Sequence, residues 1–248
     1  MDLPGWQVLR NELAPLGVEI VTVGLEMGGV DVLRPYIEDA ESEHPSLIDE
    51  AHALDALFGV TNIPESIWID EQGTIVRVRD SAVPPPVLRP NKDGEMEPYG
   101  MGGRYGRDAN ADAIKLRDWA AKGAESEFVF SPEEVISRSV PRPLEVSEAA
   151  AHFELAQHLW KSEGFSDSTF EHFARAHSLQ PDNITYKRQA YSAYSFGRSD
   201  GSEMARFQQS PQEGEEWPFV SDFTADMAKL MAEREARQAR KEEARADD

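Results

Sequence analysis

Cysteine is missing from all 248 residues of this chain. Within these residues that excludes disulfides, thiolate catalysis and cysteine-ligated metal sites together. Basic residues are scarce as well: 25 Lys and Arg stand against 46 Asp and Glu, for a formal net charge of -21. A phosphate-binding surface needs a concentrated basic face, so the balance argues against nucleic acid and against anionic membranes as partners. No apolar run approaches the roughly 20 residues that a membrane-spanning helix requires. The opening Met1-Asp2-Leu3-Pro4 lacks the basic region and apolar stretch of a signal peptide, so a cytoplasmic location is expected by default. What is present is enough for a core: 40% of residues are hydrophobic, with 5 Trp and 11 Phe, and the length fits one or two domains.

Along the chain, residues 4–16 read as a helix, with Pro4 in the first turn, Trp6, Leu9, Leu13 and Leu16 on one face, and Gly17 as the stop. Residues 18–25 are β-rich and nearly all apolar, as in a strand covered on both sides. A helix follows over residues 30–41, with Pro35 expected near its first turns. A short strand is expected at residues 46–48 and a short helix over 51–58, ended by Gly59. Residues 66–70 and 74–78 form two strands joined by Glu71-Gln72-Gly73, a spacing that predicts a hairpin. The order is helix, strand, helix, strand, helix, strand, strand, which favours one central sheet with helices on both faces.

Residues 81–108 break the pattern. They hold Pro84-Pro85-Pro86 and five glycines with few apolar residues, and predict a long loop or extended excursion. A helix returns at residues 109–122. Ser131-Pro132-Glu133-Glu134 predicts a capped helix start. Pro141 and Pro143 mark a linker. Three helices are expected at residues 147–161, 167–179 and 183–196. A polar loop over 197–218 and a last helix from Ser221, carrying Phe223, Met227, Leu230 and Met231, complete the chain.

One segment carries a family resemblance. Leu57-Phe58-Gly59-Val60 closes a short helix, Pro64 follows, and Ile69-Asp70-Glu71-Gln72-Gly73-Thr74-Ile75 makes the hairpin. In this order and spacing the segment resembles the thioredoxin-like redoxins of the TlpA/ResA and peroxiredoxin-related group. The likeness covers about residues 2–80, with the helix at 109–122 as the terminal helix of the fold. It implies an α/β fold: a thioredoxin-like sheet flanked by helices, with its first strand missing, followed by an all-α C-terminal segment. It also implies that Pro64 is a cis proline, in a loop of Asn62, Ile63, Pro64 and Glu65 that faces the redox motif and presents backbone to a peptide or thiol substrate. Asp70 and Gly73 read as turn formers.

Members of that group begin with a strand, then a Trp-Cys-x-x-Cys motif, then a helix whose opening Asp2-Leu3-Pro4 matches. In this register the redox pair falls upstream of Met1. Asp2 stands where the group often has a carboxylate that takes part in proton handling; read without the resemblance, it is an acid at a helix start, favoured by the dipole. The expectation is a reading frame that starts further upstream, with a selenocysteine codon read as a stop as one specific cause. No residue of the chain as given is expected to be catalytic, and no cofactor or metal is expected.

Residues 147–194 are similar to a tetratricopeptide-type repeat: Phe153, Phe173, Ala176 and Pro181 fit its offsets, whereas Gln157 sits where a small residue is usual. A single repeat needs neighbours to bury its faces. The six His show no chelating spacing along one helix and read as structural. Gly100-Met101-Gly102-Gly103-Arg104 follows no strand of a βαβ unit and reads as a loop. The expected organisation is a thioredoxin-like domain over residues 1–125, including the 81–108 loop, a linker with a short helix over 126–146, a repeat-like helical region over 147–220, and a charged terminal helix over 221–248. Two functions follow. One is a redoxin acting on protein thiols or disulfides, or on peroxides, and inactive without its redox residues. The other is a non-catalytic interaction module that docks a protein partner through the helical region.

Overall fold

The structure is a computed structural model, and it describes residues 2–99, 109–139 and 142–195. The chain begins with α1 (Leu3–Leu13), which a 3-10 turn at Ala14–Leu16 extends and Gly17 closes. Leu9 and Leu13 fall a turn apart on its buried face. Next come β1 (Thr22–Leu25), α2 (Val30–Asp39), β2 (Ser46–Asp49), α3 (Ala53–Phe58), β3 (Glu65–Ile69) and β4 (Ile75–Ser81). Two further strands, β5 (Val87–Pro90) and β6 (Met96–Tyr99), precede α4 (Ala109–Lys122) and α5 (Pro132–Arg138). Three helices end the described chain: α6 (Leu144–Glu163), α7 (Asp167–Leu179) and α8 (Ile184–Ser195). The protein is mixed α/β with small sheets and an all-helical C-terminal part. Among the described residues no helix is long and apolar enough to cross a membrane.

The expected single central sheet is not what forms. β1 and β2 pair in parallel, β3 and β4 pair antiparallel, and β5 and β6 pair antiparallel, as three separate two-stranded sheets. The strand expected over residues 18–25 is correspondingly shorter. A ladder runs only as far as its partner, and β2 offers Ser46 to Asp49 opposite Thr22 to Leu25. Nor is that strand covered on both sides. Val23 lies opposite Leu47 in register, and with Val21 these side chains are 37%, 52% and 51% exposed, respectively. Where helix and strand do meet, they meet closely: a Cβ on Gly24 would stand 2.4 Å from Leu33 Cδ1 of α2. Pro35 lies inside α2 and not in its first turn.

The β3–β4 hairpin forms as its spacing requires. Asp70 Oδ1 accepts the amides of Gln72 (3.0 Å) and Thr74 (2.8 Å), and Gly73 takes φ 78°, a backbone state that side chains disfavour. The expected loop over 81–108 is a second correction, because it contains the β5–β6 hairpin. Asn91 repeats the role of Asp70, its side chain accepting the amides of Asp93 and Glu95 at 2.9 Å each. Pro90 and Pro98 stand in these strands because a two-stranded sheet has open edges where a missing amide costs no ladder bond.

Two cores result. The first joins Leu9 and Leu13 of α1, Trp68 of β3 and Ala113 and Leu116 of α4, with Val18, Ile20, Val76 and Phe128 packed against them. Trp68 stacks on Trp119 at 4.8 Å between ring centroids. The 126–130 segment lies along β4, where the Phe130 amide donates to Val76 O at 2.9 Å. The second core is helical and joins α6, α7 and α8 through Ala149, Phe153, Phe173, Ala176, Tyr186 and Tyr191, and it takes in Met27 from the α/β part. Ser131 and Ser166 cap α5 and α7 by accepting the amides of Glu134 (3.2 Å) and Thr169 (3.3 Å). The expected loop over 197–218, the helix from Ser221 and the Gly-rich stretch at 100–106 lie outside the described residues.

Candidate functional site

The Pro64 loop joins α3 to β3. Gly59 ends α3 with φ 69°, and the Val60 amide returns to Asp55 O at 2.8 Å. The Ile63–Pro64 peptide is cis. Asn62 and Ile63 are exposed, while Pro64 and Glu65 are half-buried. Asn62 folds back so that its Oδ1 accepts the Ile63 amide at 2.9 Å. Glu65 opens β3 opposite Ser81, and Pro64 O accepts the Ala82 amide at 3.4 Å.

The first turn of α1 is tied to the same end of the hairpin by another route. After Ala82 the chain runs through buried Val83 and Pro84, and Pro84 and Pro85 press on Gly5 in the first turn of α1. A Cβ on Gly5 would lie 2.5 Å from Pro85 O and 2.9 Å from Pro84 Cβ. Asp2 occupies the N-cap position of α1. Its carbonyl accepts the amides of Gly5 (3.0 Å) and Trp6 (3.1 Å), but its side chain makes no capping bond. The segment following β4 therefore links the start of α1 to the Pro64 loop, which are about sixty residues apart in sequence.

Behind the loop lies a polar cluster that sequence reasoning missed. His52 takes a left-handed conformation, φ 55°, at the start of α3. Its Nδ1 lies 2.8 Å from Asp55 Oδ2, and its ring meets Phe153 of α6 edge-on at 5.1 Å. Thr185 Oγ1 of α8 stands 3.2 Å from the same Asp55 oxygen and 2.5 Å from Asn183 Oδ1. Asn183 Oδ1 also accepts the Tyr186 amide at 3.1 Å, capping α8. All of these residues are buried. Burial, with Asp55 adding to it, pushes the Tyr186 phenol above its ordinary range, against a smaller opposing pull from Arg142. His52 and Asp55 stand three apart on one helix turn, which is a sequence signal; nothing local to either points to Thr185, 130 residues after Asp55.

His152 and His172, on α6 and α7, face each other with their Nδ1 atoms 2.8 Å apart, a cross-helix pair invisible to spacing along one helix. Among the described residues no group of three or more His, Asp or Glu is placed to hold a metal ion. The loop at residues 62–65 contains no thiol. It presents one exposed apolar side chain, Ile63. Comparison of the chain with protein-family models, with curated proteins and with solved structures gives no match.

Proposed function

We propose that this chain is the greater part of a thioredoxin-like redoxin, whose cysteine or selenocysteine pair stands on residues preceding Asp2 in the intact reading frame. The reading rests on one observation. A parallel pair, β1–β2, and an antiparallel hairpin, β3–β4, stand as separate sheets, yet α1 and the approach to β1 share a core with β3 and β4. A central strand inserted between the pairs would join them into one mixed sheet. The following turn would then lead into α1 at Asp2, whose first turn the segment after β4 ties to the end of the hairpin that carries Pro64. The activity proposed is disulfide exchange or peroxide reduction, with protein thiols or disulfides as the partner class. In that scheme residues 62–65 receive the substrate backbone and Asp2 handles a proton.

A second reading, a non-catalytic interaction module, is favoured by the missing cysteine and by the helical part docked on the α/β part. The DNA upstream of the Met1 codon separates the two. An in-frame continuation that encodes a strand, a Trp and a Cys or UGA codon supports the redoxin reading. Unrelated sequence there removes it and leaves the interaction module.

A further inference from the structure

The segment between α3 and β3 is short, and one of its fixed points, Thr61 O, is held by a helix outside the α/β part. The first amides of a helix have no intrahelical acceptor. That of Ile184, at the start of α8, donates to Thr61 O at 2.7 Å, directly before Asn62. One residue on, the Thr185 hydroxyl reaches Asp55, which also holds His52 and, through its own carbonyl, the Val60 amide. One turn further, the Gln189 side chain bridges the end of β1, accepting the Met27 amide at 3.0 Å and donating to Leu25 O at 3.2 Å. Thus α8 touches the loop, the helix before it and the strand end beside it. The helix is itself held by the stacking of Tyr186 on Phe153 at 4.0 Å.

We infer that the α6–α8 unit is the positioning element of the Pro64 loop, acting through the Ile184 amide and Thr185. The repeat-like helices are then part of the site's scaffold and not a free appendage. Thr185 is a positioning residue, because it acts on the loop through Asp55 and touches no reacting group. The inference rests on reading that loop as substrate-facing, but its test does not involve redox chemistry.

The test is residue-resolved amide exchange on the full 248-residue chain. Thr185→Val keeps the shape and removes the hydroxyl, leaving the buried Asp55 short of a donor. Exchange at Val60, Ala82 and Ile184 is expected to quicken on the order of tenfold, while Leu13 of α1 and Phe173 of α7 hold their rates. Thr185→Ser restores the slow rates. If all five amides quicken together, if none does, or if serine fails to rescue, the inference is overturned. Should the valine variant not fold, the unmodified protein decides. Val60 and Ile184 must then open as one unit, with protection factors agreeing within about a factor of two, and clearly different values overturn the inference. Failure here leaves the redoxin reading intact, and an unrelated upstream sequence leaves this coupling intact.

Discussion

At the scale of single residues, one carboxyl on α4 ties stability to pH. Asp118 of α4 is hydrogen-bonded to Lys122 and accepts the Ser126 hydroxyl at 2.6 Å. Those two bonds, Lys122 first, hold its carboxyl below the ordinary carboxylate range. A carboxyl depressed in the folded state stabilises above its unfolded pKa, about 3.9 for Asp, and loses that contribution as pH falls through the folded value. Urea melts of the wild type and Asp118→Asn at pH 7, 5 and 3 are therefore expected to show a stability difference that shrinks toward acid. Parallel curves across that range contradict the assignment. The same bonds anchor the turn that carries Phe128 into the first core, since Ser126 Oγ also accepts the Phe128 amide at 3.2 Å.

At the scale of elements, the test is the seat of α1 on the segment after β4. Alanine at an exposed helical glycine stabilises by up to about 1 kcal/mol through propensity alone. At Gly5 the added Cβ meets the Pro85 carbonyl, a backbone atom that cannot turn aside. Overpacking of this kind costs about 1–3 kcal/mol, so Gly5→Ala is expected to lower the melting temperature. A rise would mean that α1 does not sit where the structure puts it. This contact also shows where sequence reading stops. Helix and hairpin positions were legible because each is set by neighbours in the chain: Pro4 and Gly17 bound α1, Asp70 and Gly73 make the turn, and Ser131 caps α5. The second hairpin was hidden because its prolines mimic a loop pattern and are tolerated only on the open edges of a two-stranded sheet. The cluster of His52, Asp55 and Thr185 was hidden for a different reason. It depends on how the helical part docks, which periodicity within one element does not encode.

At the scale of the molecule, the sheets leave apolar surface uncovered. Val23 of β1, Leu47 of β2 and Val21 just before β1 are exposed, and among the described residues β1 has a strand on one edge only. An open edge beside an apolar face is a template for pairing with another chain. The 248-residue chain is therefore expected to self-associate on a sizing column despite its net charge of -21. A monomeric profile with a sharp cooperative melt contradicts this. An intervening strand supplied by an extended reading frame would cover that edge, so the extended protein is expected to run as the better-behaved species.

On the redoxin reading proposed above, these residues build the substrate-facing half of a redox site and contain none of its redox chemistry. Insulin-reduction and peroxidase assays, run side by side on the 248-residue chain and on a version extended upstream in frame, test it most directly. The expected result is no turnover by the shorter chain and turnover by the extended one, abolished when its Cys or selenocysteine is replaced. Turnover by the shorter chain, or an extended protein that stays inactive with its redox pair in place, would contradict it.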